Sequence, residues 1–211
     1  RSGLVERASL SHQQRAVFLD RDGTLNRPAG FINSPDQLEL FPGVAAAIRR
    51  LNKAEYRAIL ITNQPVLARG ECTPEGLAQI HAKLETELGR EGAFLDGIFF
   101  CPHHPDSGFP GEVKALKVRC GCRKPAIGLI EQAEAAFNID RAGSWFVGDT
   151  TADIAAAAAA GIRSVLVRTG EGGRDGKYVA RPDYVVDDLA SAVEFILQQE
   201  QASSARVGQA V

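Results

Sequence analysis

The chain has 211 residues and is 45% hydrophobic, enough to build a full core in one domain with at most a small insert, and too much for a disordered chain. Its 24 basic and 26 acidic residues are mixed along the sequence and leave a formal charge of -2, which excludes a broad cationic field for nucleic acid and makes any anion binding local. Residues 1–15 are polar with no apolar core of signal-peptide length, and no run approaches the roughly 20 apolar residues of a membrane span, so a cytoplasmic enzyme is expected.

The first element is a strand over 16–19, a short apolar run that ends abruptly in charge and glycine, as a buried parallel strand does where it delivers its carboxyl end to a loop. A helix follows over 44–54, with Val44, Ile48 and Leu51 on one face, and then a strand over 58–61 that stops at Thr62-Asn63-Gln64. Leu77, Ile80, Leu84 and Leu88 mark a helix over 74–88, and 97–100 reads as another strand. Beyond a helix over 127–137 come a strand at 144–147 ending in Gly148-Asp149, an alanine-rich helix closed by Gly161, and a strand at 164–167. Residues 170–181 are rich in glycine and charge and read as a flexible surface loop before a last strand at 183–186, a helix near 189–197, and a frayed tail. Strand and helix alternate, which implies an α/β fold with a parallel sheet covered on both faces and a ligand site at the carboxyl ends of the strands.

The chemistry concentrates in Asp20-Arg21-Asp22-Gly23-Thr24. In a regular strand the two carboxylates would point to opposite sides, but the chain leaves strand geometry at Gly23, so both can turn to one pocket. One carboxylate can then attack phosphorus to form an acyl phosphate while its neighbour gives a proton to the leaving oxygen and later takes one from water. An aspartate-rich surface turn is the bland alternative. Thr62-Asn63 could likewise be a simple strand end, Lys124 a solvated lysine, and Asp149 and Asp153 mere helix-capping residues.

Taken together, these segments resemble the haloacid dehalogenase superfamily of phosphatases, over about 16–197. Its four motifs match, in order, Asp20 to Thr24, Thr62 after a strand, Lys124 in Arg123-Lys124-Pro125, and Gly148-Asp149 with Asp153. The resemblance implies a Rossmann-like three-layer sandwich with a minimal cap, since only about twenty residues of insert are present, too few for the water-excluding cap of a mutase. It implies that Asp20 is the nucleophile and Asp22 the acid and base. Thr62 and Asn63 would hold the phosphoryl oxygens and Lys124 would neutralise them. Asp20, Asp149 and the main-chain carbonyl of Asp22 would bind magnesium. Electrostatics demands such cations, because clustered carboxylates repel one another and a phosphate dianion.

A second constellation follows the strand at 97–100. Cys101-Pro102-His103-His104-Pro105 and Cys120-Gly121-Cys122 offer three thiolates and an imidazole, a closed tetrahedral zinc set with no position left for water and hence a structural role. A disulfide is the rival, less suited to a chain without an export signal. The superfamily branch with a Cys-x-His and Cys-x-Cys zinc loop contains the heptose bisphosphate phosphatases of lipopolysaccharide precursor synthesis and the histidinol-phosphate phosphatases. Spacing in that branch favours His103 over His104 as the ligand, with Cys101, Cys120 and Cys122. The loop Gly30-Phe31-Ile32, Asn63-Gln64, Ala68-Arg69-Gly70 and the paired histidines resemble the heptose side; Pro65-Val66-Leu67 departs from it. The likeness implies a heptose 1,7-bisphosphate as substrate, bound by Asn63 and Gln64, with Arg69 and Arg123 meeting the distal phosphate through paired hydrogen bonds. The expected organisation is an extension at 1–15, a phosphatase domain at 16–197 with the zinc loop at about 101–122, and a tail at 198–211. The expected enzyme is a monomer acting on a small phosphorylated sugar, with no nucleic-acid or membrane partner. A non-catalytic zinc-binding module is the alternative from another class.

Overall fold

The structure, a computed structural model, describes residues 13–108 and 110–208. Six strands, β1 (Ala16–Leu19), β2 (Arg57–Asn63), β3 (Gly97–Cys101), β4 (Trp145–Gly148), β5 (Arg163–Val167) and β6 (Tyr184–Val186), form one parallel sheet in the order β3-β2-β1-β4-β5-β6. Among the described residues, five α-helices connect and close it: α1 (Val44–Lys53), α2 (Pro74–Arg90), α3 (Gly128–Phe137), α4 (Thr151–Ala160) and α5 (Leu189–Gly208). The α/β architecture with a parallel sheet is as the sequence implies. Most boundaries differ from expectation by one to three residues. The larger difference is α5, which continues to Gly208, so 198–208 is helical where a frayed tail was expected. Of the extension expected at 1–15, residues 1–12 lie outside the described residues.

The side-chain alternation of the strands builds the two cores. Val17 and Leu19 of β1, Ala58 and Leu60 of β2, and Trp145 and Val147 of β4 face α1, α2 and α5. Ala16 and Phe18, Ile59 and Ile61, and Phe146 face α3 and α4 on the other side. Every residue of β1 is fully buried, which is why its sequence is continuously apolar rather than alternating. The alanines of α4 let that helix lie close on the sheet, with Ala156, Ala157 and Ala160 buried against it. Gly161 ends the helix at φ 69°, a left-handed position that glycine fills without a Cβ clash. Among the described residues, no helix is long and apolar enough to cross a membrane.

Strand order reverses between β1 and β4, and this places the site. The register sets Leu19 beside Val147, so the next residues off each strand emerge side by side at the sheet's carboxyl edge. Asp20 donates its main-chain N–H to the Val147 carbonyl at 3.0 Å, continuing the ladder into the loop. A crevice at such a switch point is where open α/β sheets bind ligands.

Candidate active site

Asp20, off β1, is met by Lys124, which arrives on the loop before α3. The Lys124 ammonium lies 2.7 Å from Asp20 Oδ1 and 2.6 Å from Asp153 Oδ1. It donates a third bond to the Ile61 carbonyl at 2.8 Å. Burial works against the charge on Lys124, yet Asp153 and Asp20 outweigh it and hold the ammonium above its ordinary value. Asp153 is fully buried and spends its other oxygen on Thr150, accepting from the main-chain N–H at 3.0 Å and the hydroxyl at 2.6 Å. It therefore serves both as the capping partner of α4 and as a fixed counter-charge for Lys124.

Asp149, off β4, is packed between two loops. A Cβ on Gly23 or on Gly170 would run into its carboxylate, and both glycines sit at positive φ, 85° and 60°. The Glu171 N–H reaches Asp149 Oδ2 at 2.8 Å, and the Gly173 N–H reaches the Asp149 carbonyl at 2.7 Å. Burial, with the charges of Asp20 and Asp153, pushes Asp149 up to about 8. Burial and Asp153 push Asp20 up to about 7, against the pull of Lys124. Asp20, Asp149 and Asp153 each bring a carboxylate oxygen within 4.8 Å of the others. Three carboxylates against one ammonium leave an excess of negative charge in an all-oxygen pocket, a donor set that fits a hard divalent cation such as magnesium.

Asp22, on the same cavity, is held by donors. Arg21 approaches both of its oxygens, with Nε 3.1 Å from Oδ1 and Nη2 2.8 Å from Oδ2, while Asn26 reaches Oδ1 at 3.1 Å and Gln64 reaches Oδ2 at 3.0 Å. Arg21 and Asn26 are fully buried. The same Gln64 amide donates to Thr62 Oγ1 at 2.9 Å, linking the ends of β1 and β2. Asn63 faces the Lys124 main chain, donating to its carbonyl at 3.2 Å and accepting its N–H at 3.0 Å. The side chains of Asn63 and Gln64, expected at the substrate, are thus engaged in holding Lys124 and Asp22, though both residues also line the cavity.

That cavity, about 500 Å³, collects Asp20, Asp22, Thr62, Lys124 and Asp149 on one floor. Arg123 is on its wall and donates to the His103 carbonyl at 3.2 Å. Arg69, expected at the substrate, is not among the residues that line the cavity; its guanidinium carbon lies 4.0 Å from the ring centroid of Phe31, which does line it. The loop after β5 also lines it, with Glu171, Asp175, Lys177 and Tyr178. Glycine and charge had marked that stretch only as a surface loop; no local pattern in the sequence signals that it folds back over Asp149.

Cys101, His103, Cys120 and Cys122 converge with their ligand atoms within 4.8 Å. The three sulfurs are 3.2 to 3.5 Å apart, and His103 Nδ1 is 3.4 Å from Cys122 Sγ and 3.7 Å from Cys101 Sγ. These separations exceed the roughly 2.05 Å of a disulfide and suit four donors facing one tetrahedral zinc. Burial and hydrogen bonding to Cys122 push the Cys101 thiol up. His104 instead accepts from the Asp106 N–H at 3.2 Å, which leaves His103 as the imidazole of the set. Cys72 lies apart and donates to the Thr73 carbonyl.

A HAD-hydrolase-like family model matches residues 121–192. The chain is 42% identical over 177 residues to the D-glycero-beta-D-manno-heptose-1,7-bisphosphate 7-phosphatase of Yersinia pestis, covering 83% of this chain and 91% of that protein. Identity to the enzyme of the same name from Haemophilus ducreyi is 38%, over 87% of this chain and 98% of that one. Among solved structures, the D,D-heptose 1,7-bisphosphate phosphatase of B. bronchiseptica, complexed with magnesium and phosphate, superposes with a TM-score of 0.77 at 37% identity, covering 88% of this chain and 99% of that one.

Proposed function

The chain belongs to the HAD-like hydrolase family, and on that premise we propose that it is a magnesium-dependent phosphatase that removes the C7 phosphate of D-glycero-D-manno-heptose 1,7-bisphosphate, in lipopolysaccharide precursor synthesis. The observation that carries the chemistry is the Lys124 ammonium held 2.7 Å from Asp20, beside a cluster of carboxylates at the sheet's switch point. The substrate rests on the near full-length likeness to enzymes named for it.

In this reading Asp20 attacks phosphorus, and the bond from phosphorus to the C7 oxygen breaks as the bond to the Asp20 carboxylate forms. Asp22 gives the departing oxygen its proton, then takes one from the water that attacks the aspartyl phosphate and frees Asp20. Thr62 holds a phosphoryl oxygen, and Lys124 neutralises the charge that gathers on the transferring group. Asn63 and Gln64 act by fixing Lys124 and Asp22 at the cavity floor. Asp20, Asp149 and the Asp22 carbonyl would hold magnesium, which when bound supplies charge neutralisation and orients the phosphoryl oxygens. Arg123, on the cavity wall, would meet the distal phosphate, and Arg69 would act through Phe31, on which it stacks. Cys101, His103, Cys120 and Cys122 would hold a structural zinc that fixes the loop leading to Arg123 and Lys124. The catalytic unit is 16–197, working as a cytoplasmic monomer without nucleic acid or membrane.

A comparison of kcat/KM on both anomers of heptose 1,7-bisphosphate and on histidinol phosphate tests the substrate. The expected result is a preference of at least about a hundredfold for one heptose anomer over histidinol phosphate, a difference of roughly 2.7 kcal/mol in transition-state binding. Preference for histidinol phosphate would overturn the assignment.

A further inference from the structure

The loop after β5 enters none of the four motifs, yet it forms one wall of the cavity. It is pinned at both ends of its course. At the start, Gly170 lies against Gly23 and the Asp149 carboxylate, and the Glu171 N–H bonds Asp149 Oδ2 at 2.8 Å. Five residues on, Asp175 accepts from the Thr151 N–H at 2.8 Å and the Thr151 hydroxyl at 2.6 Å, and also takes the Lys177 N–H. The Tyr178 N–H then bonds Thr151 Oγ1 at 3.1 Å. The Asp175 carboxylate and the Tyr178 main-chain N–H, on either side of Lys177, are therefore tied to the first turn of α4, two residues from Asp149.

Charge decides what Lys177 is for. The cavity wall carries five carboxylates, Asp20, Asp22, Asp149, Glu171 and Asp175, against three cations, Arg123, Lys124 and Lys177. Lys124 is committed to Asp20 and Asp153, and Arg123 gives one donor to the His103 carbonyl. A substrate with two phosphates brings a second dianion into this acidic surface, and that group needs a cation away from the reacting centre. We propose that Lys177, on the pinned loop after β5, is a specificity-determining residue that meets the phosphate that is not transferred, an inference that rests on the bisphosphatase reading. An ammonium on a fixed stretch of main chain rewards a charge at that end of the substrate and offers nothing to a monophosphate.

The test measures kcat/KM for heptose 1,7-bisphosphate and for heptose 7-phosphate, in the wild type, Lys177→Gln and Lys177→Arg. The ratio of the two values should fall about tenfold in Lys177→Gln, the size of one charge-assisted hydrogen bond, and recover to within about threefold of wild type in Lys177→Arg. An unchanged ratio in Lys177→Gln, or an equal fall on both substrates, overturns the role of Lys177 while leaving the bisphosphatase reading intact. A wild type that does not hydrolyse the bisphosphate overturns both.

Discussion

Asp20 is a carboxylate kept near neutrality by its surroundings, because burial and Asp153 raise it while Lys124 pulls it down, with a balance at about 7. Asp149, raised by burial and by the charges of Asp20 and Asp153 against the pull of the Glu171 N–H and Lys124, settles at about 8. Both lie above the value near 4 expected in the unfolded chain, so the folded state binds protons more tightly. Their contribution to stability is complete at low pH and is lost as pH rises through about 7 to 8. In magnesium-free buffer the melting temperature should therefore fall between about pH 5 and 8, and saturating magnesium should flatten the slope by supplying the missing positive charge. A magnesium-free curve that is flat across this window would contradict the picture of a carboxylate cluster waiting on a cation. The nucleophile is tested separately. Asp20→Asn keeps the shape of the side chain but lacks the attacking carboxylate, so phosphate release should drop by more than about a thousandfold with circular dichroism unchanged. Turnover near the wild-type rate would exclude Asp20.

At the scale of elements, the loop carrying Cys101, His103, Cys120 and Cys122 and the loop after β5 bring Arg123, Lys124 and Lys177 to the cavity. The zinc loop joins β3 to α3, and Arg123 and Lys124 follow Cys122 directly. Cys122→Ser should release that loop, lowering kcat/KM at least about tenfold while far-UV circular dichroism still reports the sheet, because β1 and β4 carry their own core. Loss of the whole fold would show instead that the metal is needed for folding. Short apolar runs ending in polar residues made the strands legible, and the apolar periodicity made α1 and α2 legible. Cys-x-His and Cys-x-Cys foretold the cluster of four ligand atoms. What the sequence concealed depends on tertiary placement. The engagement of Asn63 with the Lys124 main chain, the burial of Arg21 against Asp22 and the fold-back of Gly170 onto Asp149 are contacts between segments far apart in the chain or set by a turn. The extent of α5 was hidden for another reason, since the sequence over 198–205 carries no apolar stripe; in the structure Gln198 donates to Glu194 and Glu200 pairs with Arg15.

For the whole molecule, a formal charge of -2 and an acidic cavity mean that, on the proposed function, phosphate binding would fall to Lys124, Arg123, Lys177 and a cation at the carboxylate cluster rather than to the protein's field. Parallel topology fixes where that happens, because only at the reversal between β1 and β4 do two strand ends present Asp20 and Asp149 together. Among the described residues no large cap covers the cavity, so on the proposed mechanism water can reach the aspartyl phosphate, which favours hydrolysis over return of the phosphoryl group to a sugar. The direct test of the account is ³¹P NMR of heptose 1,7-bisphosphate incubated with the wild-type enzyme and magnesium. The account predicts inorganic phosphate together with heptose 1-phosphate, the anomeric phosphate resonance remaining as the C7 resonance disappears. Release of the anomeric phosphate instead, or no release at all, would contradict it.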